Sequence, residues 1–171
     1  MGPAQWLLDK LRPTCERLVF AGSIRRRCTL VGDIELLAIP KIQKRAQVGT
    51  QDLFGPGRAI YEHVNLLWEA TDAIASEYSK RGEKYRQFRV TEFTVDIFTA
   101  ELGNWGNQLM IRTGSAEFSK SMMVRLNNFG LTSVDGYITQ RHNRVRIPTP
   151  TEEDVFEKAR VPWILPEKRS L

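Results

Sequence analysis

Two acids set two apart at the head of an apolar run constrain this chain most: Asp33-Ile34-Glu35-Leu36-Leu37-Ala38-Ile39. The run reads as a strand, ended by Pro40. Strand side chains alternate between faces, so Ile34 and Leu36 point to a core while Asp33 and Glu35 project together from the other side. Asp96, between Val95 and Ile97 in another apolar strand, is a third acid. If the two strands are neighbours, three carboxylates converge on one sheet face. Uncompensated, they repel and some stay protonated. A pair of Mg²⁺ ions resolves this, because hard cations take carboxylate oxygens, and two metals can activate an attacking hydroxyl and stabilise a leaving phosphate. The spacing alone carries no weight. With 20 acids in 171 residues, chance gives about two such pairs, and the chain has a second at Glu152 and Asp154, an expected helix start. The setting carries the reading, since acids on an apolar strand are unusual unless used.

A basic, glycine-containing segment precedes the acids. Gly22-Ser23-Ile24-Arg25-Arg26-Arg27 follows a short strand at residues 18–21. Gly22 lets backbone approach a ligand closely, Ser23 offers a hydroxyl, and arginine forks suit phosphate oxygens. By itself this is a solvated basic turn. Ahead of a paired-acid strand it reads as a phosphate-binding turn. Arg112-Thr113-Gly114-Ser115 is a second turn opening a helix, whose N-terminus attracts anions. Lys120 and Arg125 lie on that helix's polar side, and Lys84, Arg86 and Arg89 decorate the strand before Asp96. Singly these are solvated charges; together they place positive charge on both sides of the acids, as a phosphate-backbone track requires. The net charge of +5 suits a polyanionic partner.

The pattern along the chain predicts a helix over residues 5–17, with Pro13 as a possible end, then the strands at 18–21 and 33–39. A Gly/Pro loop at Gly55-Pro56-Gly57 leads to a long helix over residues 59–78, with Ile60, Val64, Leu67 and Ile74 near one face. A hairpin at 85–90 and 93–99 turns at Thr91 and Glu92. A break in composition at 103–106 is the expected boundary between two subdomains, residues 1–103 and 104–171. Ser115 caps a helix reaching Asn128, Gly130 stops it, and strands at 132–138 and 144–147 follow. Thr151 caps a last helix. The expected class is α+β: a mixed sheet with helices on one face, then a small α/β subdomain. Cys15 and Cys28 fit neither a disulfide framework nor a metal spacing, and His63 and His142 are scattered, so zinc is not expected. No apolar run is long enough to span a bilayer and no secretory leader is visible. An intracellular monomer of cytoplasm or nucleoid is expected, with no membrane partner.

In this order, "GSIRRRCTLVGDIELLAIP", "TVDIFTA" and "IRTGSAEFSKSMM" resemble the family X DNA polymerases, the group of DNA polymerase beta. The tail "RIPTPTEEDVFEKARVPWILPEKRS" resembles that family's C-terminal end. The likeness covers roughly residues 19–169 and is loose over 41–83. It implies a nucleotidyltransferase palm followed by a C-terminal nucleotide-selection subdomain. It implies template-directed addition of dNTPs to a primer 3′-hydroxyl on primed or gapped DNA, by short gap filling in repair. It also implies two Mg²⁺ ions, with Mn²⁺ as a substitute. Carried over by position, Asp33, Glu35 and Asp96 resemble the catalytic metal ligands. Asp96 resembles the one that also helps deprotonate the primer. Gly22, Ser23 and Arg26 match triphosphate-binding positions, Gly114 falls in the turn that meets the sugar, and Ser119 stands where the family often has an Asn touching the incoming base. Lys84, Arg86, Arg89, Lys120 and Arg125 are the expected DNA-binding residues. Glu35 departs from the usual Asp. Ile111 and Arg112, the latter a nucleotide-binding candidate, replace the usual aromatic pair near the sugar. The chain starts at the palm, without lyase and fingers domains, which resembles the family's compact viral members. Two alternatives stay open: a template-independent or small-molecule nucleotidyltransferase on the same palm, and a nucleic-acid-binding module without chemistry.

Overall fold

A computed structural model describes residues 2–47 and 60–169. The loop expected at Gly55-Pro56-Gly57 lies outside the described residues, as does Ala59. Helix α1, Pro3–Leu11, starts on a proline and buries Leu7, Leu8 and Leu11. It ends sooner than the pattern predicts. Pro13 has no N–H to continue the ladder, residues Arg12–Thr14 tighten into a 3₁₀ turn, and β1 already begins in Cys15–Phe20. A four-residue helix α2, Gly22–Arg25, replaces the expected turn and leads to β2, Ile34–Pro40.

The long helix expected over 59–78 is not formed. The basic stretch after Pro40 is a strand, β3 (Ile42–Gln47), paired with β4 (Ile60–Asn65). Asn65 then caps α3, Leu66–Asp72, its side chain accepting the Trp68 N–H at 3.1 Å, and β5 spans Glu77–Arg81. Apolar spacing there suited a helix, but a strong capping residue in its middle marks a start. The hairpin is as expected, with β6 at Tyr85–Val90 and β7 at Phe93–Thr99. The main sheet runs β1-β2-β7-β6-β5. Only the β2–β7 pair in it is parallel.

One face of this sheet buries Ile34, Leu36, Phe88, Val95 and Ile97 against α1 and α3. The other face is covered in part by the C-terminal half. Helix α4, Trp105–Thr113, lays Trp105 and Leu109 on Leu37 and Ala100. Its glycine, read as a break in sequence, has a packing cause. A Cβ on Gly106 would stand 1.7 Å from the Thr151 carbonyl oxygen, so only glycine lets the helix lie against that segment.

Ser115 caps α5, Ala116–Asn128, accepting the Phe118 N–H at 3.1 Å, and Gly130 follows its end at φ +73. The strand expected at 132–138 is a hairpin. Asp135 and Gly136, both at positive φ, turn β8 (Leu131–Val134) into β9 (Tyr137–Gln140). With β10 (Arg146–Ile147) these form a three-stranded sheet. Thr151 and Asp154 cap α6, Glu152–Lys158, reciprocally. Met110, Phe118, Met122, Leu126, Ile138, Val155 and Phe156 make this second core. Both cysteines are free. Among the described residues no helix is long and apolar enough to cross a membrane.

Leu36 is fully buried in the inner strand β2. Leu36→Ala is expected to lower the unfolding free energy by about 2–5 kcal/mol, seen as a lower urea midpoint with an unchanged slope.

Candidate active site

The parallel pairing of β2 with β7 sets Glu35 opposite Asp96. Alternation turns both to the face that α4 partly covers, away from α1 and α3. Asp33 lies one residue before β2, near enough to Asp96 for the two carboxyl groups to act on each other. Burial first, then the Asp96 charge, raises the Asp33 carboxyl above its ordinary range. The Glu35 carboxyl is pushed up to about 7, by burial and then by Asp33 and Asp96, with Arg26 and Arg112 pulling the other way.

The hairpin supplies donors for Asp96. Its Oδ1 accepts from the Tyr85 hydroxyl at 2.6 Å and from Gln87 Nε2 at 3.0 Å. Burial and this acceptor push the Tyr85 hydroxyl up to about 12, so it stays a neutral donor. Tyr85 stacks on Phe98, centroids 4.6 Å apart and nearly parallel, and the Arg112 guanidinium lies 3.7 Å from the Phe98 centroid. Tyr85, Phe98 and Arg112 also line an open hollow of about 540 Å³ with Lys84, Gln108 and Tyr137.

The three acids do not form the ready cage that the sequence pattern suggests. Among the described residues, no three His, Cys, Asp or Glu side chains gather in metal-holding geometry. The reason is local. The longer Glu35 arm folds over Gly22, where its Oε2 lies 1.6 Å from the place a Cβ would take. Gly22, at φ +52, is the only residue type that fits both the backbone and this contact.

Around the acids, Ser23 Oγ, Arg26 Nε and Arg112 Nε are buried without a hydrogen-bond partner. Such atoms are costly unless a ligand or ion completes them. Arg26 uses another nitrogen to donate to the carbonyls of Thr113 (2.7 Å) and Gly114 (3.2 Å), tying α2 to the α4–α5 junction. Gly114 leaves room for Phe118 and Ser119, and Ser119 donates to the Ile111 carbonyl at 2.9 Å.

The cationic residues separate into two groups. Lys84 and Arg89 are exposed on the hairpin, and Lys120 and Arg125 are exposed on α5. Arg86 is not with them. Its parity in β6 turns it to the opposite sheet face, where it lies over Trp68 at 4.5 Å and pairs with Asp72 at 2.8 Å. Tyr85 and Gln87 were not expected in the site, although the two-residue turn at Thr91-Glu92 fixes the register that pairs Gln87 with Asp96. The buried cluster of Arg25, Glu152 and Arg169 was also missed, because it joins residues 127 and 17 apart that no local pattern links.

The raised Glu35 carboxyl makes stability depend on pH. The folded state holds that proton more tightly than the unfolded chain does. The favourable contribution is therefore complete below about pH 4.5 and lost as pH rises through about 7. In metal-free buffer the thermal midpoint of wild type is expected to fall across this window. Glu35→Gln should flatten the fall and raise the midpoint at pH 8. A variant with the wild-type pH profile would mean that Glu35 is not the titrating group.

Residues 108–170, which hold most of α4, all of α5, the small sheet and α6, match the family model described as DNA polymerase beta thumb. No curated protein matches the chain.

Proposed function

We propose that this chain is a family X DNA polymerase, a palm followed by the thumb-like segment, that adds dNTPs to a primer 3′-hydroxyl under template direction. The proposed role is short gap filling in DNA repair. The observation that carries the reading is the register of Glu35 on Asp96, with Asp33 one residue before β2 and a polymerase-thumb match alongside. A module that only bound phosphate would gain nothing from crowding carboxylates against one another.

The donor set fits Mg²⁺. The Asp33 and Glu35 carboxyls are both raised by burial and by the neighbouring acids, so a hard divalent cation would offset the crowded charge and favour their ionised, oxygen-donating form. Asp33, Glu35 and Asp96 would hold it, Glu35 after its arm lifts from Gly22. Bound there, Mg²⁺ or Mn²⁺ would supply charge neutralisation for the transferring phosphate and acidify the primer hydroxyl. The chain's own residues do the rest. Asp96, held by Tyr85 and Gln87, accepts the proton as the 3′-oxygen forms its bond to the α-phosphorus. The bond from that phosphorus to the bridging oxygen breaks and pyrophosphate leaves. Ser23 and Arg26, with unspent buried polar atoms beside the acids, bind the triphosphate as it takes up this charge. Arg112 and Gly114 border the sugar, and Ser119 lies near the base. Lys84, Arg89, Lys120 and Arg125 contact DNA phosphates, which position without reading sequence.

The test is Mg²⁺-dependent incorporation of each dNTP opposite each template base, on primed and gapped duplexes. Wild type is expected to add the complementary nucleotide. Asp96→Ala should lose about a thousandfold or more in rate, since it removes a metal ligand and the proton acceptor together, while remaining folded. Incorporation without regard to the template base would identify a template-independent transferase. DNA binding with no incorporation would identify a non-catalytic module.

A further inference from the structure

One carboxylate joins the two halves of the molecule. Glu152, at the start of α6, is buried and accepts from two guanidinium groups, each through both carboxylate oxygens. Arg25 donates to Oε1 at 2.8 Å and to Oε2 at 2.7 Å, and Arg169 donates to the same oxygens at 2.6 and 3.2 Å. Arg169 is fully buried. Its Nε donates to the Ile164 carbonyl at 2.9 Å, and its guanidinium lies among the rings of Phe118, Phe156 and Trp163. Its backbone carbonyl accepts the N–H of Ser115, the cap of α5, at 3.3 Å. Arg25 belongs to α2 and also donates to the Thr113 hydroxyl at 2.5 Å. The arrangement therefore runs from the main-sheet half, through one acid, to the last residues described.

Helix α2 has only four residues and cannot hold its own place. It also carries Gly22 and Ser23 against Glu35 and is followed directly by Arg26. What fixes α2 fixes the proposed triphosphate pocket.

We infer that Glu152 is a positioning residue, which through Arg25 clamps α2 to the C-terminal half and sets Ser23 and Arg26 for the nucleotide. The inference rests on the nucleotidyl-transfer reading for its kinetic consequence, not for its structural one. Removing the clamp lets α2 shift against Glu35 while Asp33, Asp96 and the DNA-facing lysines and arginines keep their own supports. A misplacement of about 1 Å at such a site can cost a hundredfold.

The experiment uses the full chain with Glu152→Gln, which keeps the shape and removes the charge, and with Arg25→Gln. The second variant leaves the buried Glu152–Arg169 pair in place, and so spares the C-terminal core if Glu152→Gln fails to fold. Three quantities are read: steady-state kinetics for one dNTP on a gapped duplex, duplex affinity, and hydrogen exchange at the amides of residues 25–28. These amides donate to the backbone carbonyls of Ala21, Gly22, Ile24 and Ser23. The expected result is a dNTP KM raised about tenfold or more, a smaller change in kcat, duplex affinity within twofold, and faster exchange at those amides. A folded Arg25→Gln protein with dNTP KM within twofold of wild type and unchanged exchange would overturn the clamp. So would an equal loss of KM, kcat and duplex affinity with a lowered thermal midpoint, which marks a structural role alone. A wild-type protein that incorporates nothing overturns the polymerase reading instead. The exchange of residues 25–28 in Arg25→Gln then decides the clamp by itself.

Discussion

The parallel pairing of β2 with β7 governs the rest of this molecule. Parallel neighbours cannot be joined by a tight turn and need a long crossover. Residues 41–92 supply it, with the β3–β4 ribbon, α3, β5 and β6 inside the loop they make. Helix α3 packs on the side of Leu36 and Ile97, so the crossover leaves the Glu35–Asp96 side to the C-terminal half. That side carries a row of carboxylates which the pairing forces together, and most of the surrounding polar chemistry answers it. Tyr85 and Gln87 hold Asp96, Arg26 and Arg112 pull against the raised Glu35 carboxyl, and burial and Asp96 raise the Asp33 carboxyl.

A second constraint is the union of the two cores. Each has its own apolar cluster, and among the described residues the small group around Leu37, Trp105 and Leu109 packs between them. Polar links are the bonds of Arg26 to the Thr113 and Gly114 carbonyls and the Arg25–Glu152–Arg169 set. Burial pushes the Glu152 carboxyl up, yet the two arginines hold it below its ordinary range. A pair buried in this way adds little net stability, while breaking it strands a charge in low dielectric and costs several kcal/mol. Its use is geometric, because three planar groups bonded edge to edge admit one arrangement.

The features legible in the sequence were those written in local chemistry. Alternation in Ile34–Leu36 and Val95–Ile97 placed the carboxylates on one face. Ser115 and Thr151 announced their helices, and Thr91-Glu92 announced the hairpin. The expected helix over 59–78 failed because Ile60, Val64 and Leu67 fit a helical stripe as well as they fit a strand followed by a capped helix. Asn65 was the overlooked signal. Helix α4 was hidden because Gly106 reads as a break until the Thr151 carbonyl it accommodates is seen. Asp135-Gly136, a standard hairpin pair, was passed over within a run of β-forming residues. The basic residues before Asp96 were read as one patch, although strand parity sends Arg86 to the opposite face. Glu152 was discounted as a helix-start acid, since nothing local reveals partners at Arg25 and Arg169.

The central claim is that the crowded carboxylates wait for a divalent cation. It is tested most directly by the thermal midpoint of the protein titrated with Mg²⁺ at pH 8, without DNA or nucleotide, beside Asp96→Asn. A cation that binds only the folded state raises the midpoint in proportion to its occupancy. The account predicts a saturable rise for wild type that is lost in Asp96→Asn. A flat titration for wild type, or an equal rise in both proteins, would contradict it.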